Sequence, residues 1–229
     1  MKNNESITSI TVCRKGSKRV KDKWARKIGN QSLIEKKIYD LKGSSLIDNI
    51  VIGTNIQEIK LLCNQVDVSH IFRNEHHCDE EICSANEMIY DMCKKIEKTD
   101  IVVWAHCTNP LVRSKTYDKA IETFLKKEKE GYDSLFSAKK TYGHFWNHHS
   151  NPINYNPYSE IHTLAKFTSP IYEIDGAIYI QRYENFLSNK NFVGSNPYAF
   201  EIDSIEGIDI NEEVDLKTAN FYYSNQGDF

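Results

Sequence analysis

The chain has 229 residues, of which 40% are hydrophobic and 27% charged, and its formal net charge is −3. This length and composition are typical of one globular α/β domain, so we expect residues 1–229 to form a single domain. The charge predicts no nucleic-acid partner. The apolar runs are far shorter than the ~20 residues of a membrane span, which predicts no membrane partner. The polar N-terminus and six cysteines without a Cys-x-x-Cys pair indicate reduced thiols and a cytoplasmic location.

Strand and helix patterns alternate along the first two thirds of the chain. Strands are predicted at residues 7–12, 50–54, 69–72, 100–105 and 133–138. Helices are predicted at residues 33–41, 56–65, 84–96 and 116–129. The first helix has a capping signal, because Ser32 is followed three residues later by Glu35. This alternation predicts a doubly wound, mostly parallel sheet with ligands at the carboxyl ends of its strands.

Residues 140–170 interrupt the alternation, because aromatic, His, Asn and Pro residues cluster there without a period. We interpret this segment as an insertion that serves as a lid, an acceptor pocket or a dimer arm. Its candidate pocket residues are His144, Trp146, His148 and His149, although a surface or dimer contact is the favoured interpretation of any single one. Beyond it, strands are predicted at 176–180, 199–202 and 205–210, and a last helix at 212–223 with Asn211 as N-cap.

The loop from Arg14 to Lys23 carries the strongest functional signal. It follows the first predicted strand, six of its ten residues are Lys or Arg, and it contains Gly16 and Ser17. A Gly-containing basic loop after a strand can hold a triphosphate, because its N–H groups point at the anion and its cations neutralise it. The alternative is a solvated basic turn.

The order Arg-x-Gly-Ser-Lys-Arg-aliphatic-x-x-Lys in this loop resembles the signature of the acylneuraminate cytidylyltransferases, the CMP-sialic acid synthetases. Further segments align with that family in the same order: Gly53 to Asn55, Arg73, His106 to Leu111, Asp175 to Tyr179, and Ile208 to Leu216. The resemblance covers nearly the whole chain. It implies a nucleotide-diphospho-sugar transferase-like fold and a homodimer. It also implies transfer of CMP from CTP to a sugar or sugar acid, with release of pyrophosphate, for surface glycan biosynthesis.

The resemblance also implies the site residues. Arg14, Ser17 and Lys23 would bind the triphosphate of CTP, with Gly16 giving room. The other nucleotide contacts would be Arg73, Thr108 and Asn109, although Arg73 could equally form a surface salt bridge and Thr108 supply a turn hydroxyl. Asp209, with Asn211 as a weaker partner, would bind Mg²⁺, and the catalytic residues would be Arg14, Lys23 and Asp209. The alternative for Asp209 is a strand-end residue that caps the following helix.

Four departures from the family pattern bear on the metal and on the acceptor. Asn211 replaces a second Asp, which weakens a two-carboxylate metal site. Val112, Ala165 and Glu173 stand where the family has Arg, although Arg113 and Lys166 are adjacent to the first two. Because an unpaired carboxylate is costly to bury, these losses argue against a standard sialic acid as acceptor.

Two alternatives therefore stay open. The first is a CTP transferase that acts on a phosphate monoester and gives a CDP-linked product, which Lys139, Lys140 and Lys166 would suit. The second is a catalytically weak nucleotide-binding protein. Another metal site is not predicted, since the spacing of His76, His77, Cys78 and Cys83 matches no standard zinc site.

Overall fold

The computed structural model describes residues 5–17 and 19–225. Its strands are β1 (Ile7–Val12), β2 (Lys27–Ile28), β3 (Gln31–Ser32), β4 (Asn49–Thr54), β5 (Ser69–Phe72), β6 (Ile101–Ala105), β7 (Ser134–Thr141), β8 (Ile171–Arg182) and β9 (Pro197–Glu201). Its helices are α1 (Leu33–Lys42), α2 (Gln57–Gln65), α3 (Glu75–Cys78), α4 (Ala85–Lys95), α5 (Ser114–Glu128), α6 (Tyr183–Asn189) and α7 (Glu213–Ser224).

Seven of these strands form one sheet in the order β5-β4-β1-β6-β8-β7-β9, and β2 and β3 form a separate ribbon. The neighbours of β1, the β4–β5 pair and the β7–β9 pair are parallel. Strand β8 alone runs antiparallel to both of its neighbours. The predicted mostly parallel sheet is thus confirmed.

Helices cover both faces of the sheet, as β6 illustrates. Its side chains alternate between two apolar clusters: Val103 and Ala105 pack in the cluster that contains Phe124 of α5. Val102 and Trp104 pack in the opposite cluster with α4 and α6. A parallel strand buried on both faces needs apolar residues at every position, which explains the continuous apolar run of β6.

The structure corrects two predictions near the C-terminus. Residues 205–210 form no strand, because the backbone turns there: Gly207 N donates to Asp203 O at 2.9 Å, and Ile208 N donates to Ile205 O at 3.2 Å. Helix α7 has Glu212, not Asn211, as its N-cap, and Asp215 completes a capping box with Glu212. The sequence analysis also missed α6, which follows β8 directly.

Within the described part of the chain, residues 142–170 contain no helix or strand except a 3₁₀ turn at Ala165–Phe167 and a bridge between Trp146 and Pro152. The segment exposes several large apolar side chains, among them Tyr158, Ile161 and Phe167. The six cysteines, all among the described residues, are buried and free. None of the described helices is long and apolar enough to cross a membrane.

Candidate active site

A cavity of about 290 Å³ lies at the carboxyl ends of β1 and β6. It is lined by residues of the basic loop, of the turn after α3 and of the segment after β6: Val12, Cys13, Arg14, Ser17, Arg19, Lys23, Trp24, Glu80, Cys107 and Thr108. Four predicted ligands, Arg14, Ser17, Lys23 and Thr108, therefore line one space. The cavity is the crevice that a doubly wound sheet offers to a nucleotide.

Neighbouring strands hold the start of the basic loop. Cys13 N donates to Gly53 O at 3.0 Å, and Lys15 N donates to the side-chain oxygen of Asn55 at 3.0 Å. Gly16 has a φ of +83°, a conformation that favours glycine, and no described atom lies within 4 Å of the Cβ that another residue would add. The backbone of the loop is therefore open to a ligand at Gly16.

Two cations of the loop, Arg14 and Lys23, already have partners. Arg14 pairs with Glu80 at 2.9 Å, and the Glu80 side chain is 72% exposed. Lys23 Nζ donates to Ile210 O at 2.6 Å. Burial lowers the pKa of Lys23, and the charge of Asp209 acts in the opposite direction. Lys18, which belongs to the predicted motif, lies outside the described residues.

Two carboxylates of the segments after β6, Asp175 and Asp209, are near enough for the charge of Asp209 to act on Asp175. Asp209 Oδ2 accepts from Asn211 Nδ2 at 2.6 Å, whereas Asp209 Oδ1 is buried without a hydrogen-bond partner among the described residues. Asp175 Oδ1 accepts from Ala177 N at 2.8 Å, and Asp175 Oδ2 is likewise buried and unpartnered in the described chain. Burial raises the pKa of Asp175, and the charge of Asp209 raises it further.

The side chain of Asn211 is occupied by this network. Its amide nitrogen donates to Asp209, and its oxygen accepts from Arg19 Nη2 at 3.0 Å. In this arrangement both amide atoms of Asn211 contact other side chains of the site. It connects the cation of Arg19 to the carboxylate of Asp209.

Arg73 lies behind the cavity rather than in its lining. It is 4% exposed, its Nη2 donates to His77 O, and its Nε is buried with no hydrogen-bond partner among the residues described. Burial lowers the pKa of Arg73. Its side chain also explains Gly53, because a Cβ at that position would meet Arg73 Cδ at 3.1 Å and the sulfur of Met92 at 2.6 Å.

Asn109 is fully buried and bridges two segments. Its amide donates to Asp175 O at 3.0 Å and to Gly207 O at 3.5 Å. Behind it, Lys37 Nζ donates to Asn109 O at 2.9 Å and to the hydroxyl of Tyr117. Asn109 thus positions the carboxylate-bearing segments next to Thr108, while Thr108 itself lines the cavity.

Sequence reasoning missed Trp24, Glu80, Asp175 and Lys37 as site residues. Only Asp175 had a usable signal, since an acid there replaces the Asn of the family motif. Trp24 and Glu80 enter the cavity through the folding of loops, and Lys37 occupies an ordinary helix position in the sequence.

The adjacent cations Arg113 and Lys166 do not replace the Arg side chains that the family has at positions 112 and 165. Val112 is fully buried, and Arg113 is held by Glu206, to which its Nε donates at 2.6 Å. Ala165 belongs to the 3₁₀ turn of the insertion, where Lys166 Nζ lies 4.9 Å from the centre of the Phe167 ring.

Comparison with known proteins places this geometry in context. A family model described as cytidylyltransferase matches residues 9–227. The chain is 26% identical over 232 residues to the post-translational flagellin modification protein B of Campylobacter coli, covering 92% of each chain. It is 23% identical over 215 residues to the CMP-N,N'-diacetyllegionaminic acid synthase of Legionella pneumophila, covering 91% of this chain and 92% of that protein.

Solved structures show the same fold. The structure of CMP:2-keto-3-deoxy-manno-octonic acid synthetase complexed with CTP superposes with a TM-score of 0.70 at 13% identity, covering 96% of this chain and 99% of the other. The 4-diphosphocytidyl-2C-methyl-D-erythritol synthase of Anaerococcus prevotii gives a TM-score of 0.72 at 11% identity, covering 97% and 100%.

Proposed function

The chain belongs to the cytidylyltransferase family, and on that premise we propose that it transfers CMP from CTP to a sugar acid and releases pyrophosphate. The observation that carries this proposal is the cavity at the end of β1, where Arg14, Arg19 and Lys23 surround one space with Ser17. Three cations and a hydroxyl around one space suit a triphosphate.

In the proposed reaction a hydroxyl oxygen of the acceptor attacks the α-phosphorus of CTP. A bond forms between that oxygen and phosphorus, the bond to the β-phosphate bridging oxygen breaks, and pyrophosphate leaves with the electron pair. The hydroxyl proton is lost to solvent or to a nearby base. Arg14 and Lys23 neutralise the charge that gathers on the leaving group, and Thr108 contacts the nucleotide from the other side of the cavity.

The residues beside the loop fit a Mg²⁺ ion. Asp175 and Asp209 each have a buried carboxylate oxygen without a hydrogen-bond partner in the described chain, and hard cations prefer such oxygens. We propose Asp209 and Asp175 as its protein ligands, with Asn211 orienting Asp209. When bound, Mg²⁺ would neutralise phosphate charge during the transfer. Asp175 would thus supply the second carboxylate of the metal site, since Asn211 has no carboxylate.

The acceptor proposed here is a sugar acid, as the names of the legionaminic acid and octonic acid relatives suggest. Two of the three lysines that favoured a phosphate monoester already have neighbours: Lys140 lies 3.5 Å from Glu201, and Lys166 lies over Phe167. Val112 and Ala165 leave the pocket without two Arg of the sialic acid synthetases, so the preferred sugar acid is expected to differ from a standard sialic acid.

The test is a screen of 2-keto sugar acids and phosphorylated polyols with CTP and Mg²⁺, with pyrophosphate release as the readout. We expect turnover with a legionaminic-type sugar acid and a CMP-linked product. Turnover only with a phosphorylated polyol would give a CDP-linked product and contradict the proposed acceptor. CTP binding without turnover on any acceptor would instead indicate a catalytically weak nucleotide-binding protein.

Assembly, location and pathway are further parts of this proposal. The apolar side chains that residues 142–170 expose support a homodimer built on this segment. The free thiols are typical of a reducing compartment and support a cytoplasmic location. The flagellin-modification and legionaminic acid relatives support a role in surface glycan biosynthesis.

A further inference from the structure

A second group of metal-ligand side chains lies on the segment that joins β5 to α4. His76, His77, Cys83 and Glu87 each present one ligand atom here, and the four atoms all lie within 4.8 Å of one another. The two histidines belong to α3, Cys83 to the turn that follows, and Glu87 to the first turn of α4. The sequence analysis expected no zinc site because the spacing matches no standard pattern, yet the fold brings these four residues together.

The ligand types and distances suit zinc. Two imidazoles, one thiolate and one carboxylate are all zinc ligands, and bonds of ~2.0–2.3 Å put the ligand atoms of a tetrahedral site ~3.3–3.8 Å apart. His77 Nε2 lies 3.7 Å from Glu87 Oε1, which is already one edge of such a tetrahedron. His76 Nε2 lies 2.8 Å from the same oxygen, so a small side-chain movement would open the space for an ion.

The outer contacts of His77 also match a metal ligand. Its Nδ1 is buried without a hydrogen bond to any described residue and lies 3.4 Å from Asp91 Oδ2. Lys95 Nζ holds that carboxylate at 2.6 Å. A histidine that binds metal through one ring nitrogen commonly donates the other N–H to a carboxylate, which fixes the ring. Asp91 is placed for this role.

Helix-capping side chains hold the backbone of two of the ligand residues, His77 and Glu87. The Asn74 side chain accepts from His77 N at 2.9 Å, and the Ser84 hydroxyl accepts from Glu87 N at 3.2 Å. Glu87 stands three residues after Ser84, where a capping box would direct its carboxylate back to the Ser84 N–H. The carboxylate instead contacts His76, which turns it toward the cluster.

We infer that His76, His77, Cys83 and Glu87 form a structural zinc site that fixes the segment behind the nucleotide cavity. The four ligands occupy all four coordination positions of a tetrahedral ion, so no position is left for a substrate. They flank residues 78–82, the turn that carries Glu80, the partner of Arg14. Arg73 is tied to the same segment, since it donates to His77 O. Zinc would therefore hold Arg73 and Glu80 in place beside the basic loop.

The test uses the untagged full chain, freed of metal with a chelator and titrated with Co²⁺ and then Zn²⁺ without CTP. We expect one equivalent of Co²⁺ to produce a thiolate-to-cobalt charge-transfer band that Zn²⁺ removes. The band identifies this site, because the carboxylates Asp175 and Asp209 cannot produce it. Zinc should also raise the melting temperature of the metal-free chain.

Three variants complete the experiment. Cys83→Ser should lose the band and the thermal shift, and Glu87→Gln should weaken Zn²⁺ binding by about tenfold or more. Cys78→Ser is the matched control and should keep both, because the Cys78 thiol faces Arg73 O at 3.9 Å and is outside the cluster. CTP binding by metal-free wild type and Cys83→Ser, compared at equal concentration, checks that the variant is folded.

Absence of a thiolate band in the wild type, or an unchanged band in Cys83→Ser, would overturn the zinc site. Neither result bears on the proposed transfer of CMP, which is measured separately by pyrophosphate release. Conversely, a chain that binds zinc and fails to turn over any acceptor would refute only the proposed function.

Discussion

At the scale of single residues, two cations of the loop after β1 contact groups that a triphosphate could replace. Arg14 pairs with the exposed Glu80, and Lys23 donates to a backbone carbonyl. Phosphate oxygens are stronger acceptors than a carbonyl and compete directly with an exposed carboxylate. The positive charge that a triphosphate requires is thus already in place in the loop before CTP binds.

We predict that Arg14→Ala or Lys23→Ala lowers CTP affinity by about tenfold or more, because a hydrogen bond to a charged group contributes ~1.5–3 kcal/mol. Isothermal titration with CTP measures the effect. Lys21→Ala is the matched control, since Lys21 is an exposed cation of the same loop and does not line the cavity. Equal CTP affinity in both variants and the wild type would show that the triphosphate binds elsewhere.

Removing the competitor of Arg14 should have the opposite effect. We predict that Glu80→Gln raises CTP affinity by up to about fivefold, because an exposed ion pair contributes ~0.2–1 kcal/mol. Glu81→Gln, one residue further on and outside the cavity lining, should leave the affinity unchanged. A weaker affinity in Glu80→Gln would mean that Glu80 supports the nucleotide instead of competing with it.

The carboxylate pair gives a third prediction at this scale. Asp209→Asn should abolish the binding of Mn²⁺, used as a paramagnetic substitute for Mg²⁺, and Asp175→Asn should weaken it by about tenfold or more. Glu173→Gln, an exposed acid two residues from Asp175, serves as control. Asn211→Asp should keep activity and lower the Mg²⁺ concentration required, because an added charge strengthens a hard-cation site. Unchanged Mn²⁺ binding in Asp209→Asn would place the metal elsewhere.

At the scale of elements, capping residues and apolar runs in the sequence predicted the helices and strands that local interactions determine. Helix α1 was predicted from Ser32 and Glu35, and both halves of its capping box form. Strand β6 was predicted from its continuous apolar run. The segment 205–210 was wrongly predicted as a strand because its spaced isoleucines imitate one, while Asp203 holds the backbone in a turn.

Contacts between distant elements could not be read from the sequence. Asp175 reaches the site because β8 runs antiparallel between β6 and β7, a pairing that no local pattern encodes. The zinc cluster depends on a four-residue helix, α3, and on the turn after it. Lys37 stands on the apolar face of α1, three residues after Ile34 and four before Leu41, but its charge predicts exposure, and packing of α1 against α5 buries it completely.

The buried Lys37 predicts that the free energy of unfolding depends on pH. Burial lowers its pKa from 10.5 to about 8, so above pH 8 the unfolded chain binds more protons than the folded one. Below pH 8 Lys37 is charged in both states, and burial of this charge lowers the free energy of unfolding by its full amount. This loss becomes smaller as the pH rises toward 10.5. Relative to Lys37→Met, the wild type should gain about 2 kcal/mol of unfolding free energy from about pH 7.5 to about pH 9.5. Urea unfolding of both proteins measures this, and a constant difference would show that Lys37 does not titrate in this range.

At the scale of the whole molecule, residues 142–170 stand apart from the sheet that builds the site. Several of their large apolar side chains are exposed, including Ile161 at 83% and Phe167 at 70%. Exposed apolar side chains in such number on one segment are typical of a surface that meets another chain. Since β8 begins directly after this segment and carries Asp175, an interface there would also steady one side of the site.

We predict that the chain is a homodimer in solution and that Ile161→Glu or Phe167→Glu converts it to a monomer, because a charge buried in an apolar interface is costly. Light scattering coupled to gel filtration measures the mass. Leu61→Glu is the matched control, since Leu61 is an exposed apolar residue of α2, outside this segment, and should leave the dimer intact. A monomeric wild type would contradict the homodimer, and a dimer that survives both charges would place its interface outside residues 142–170.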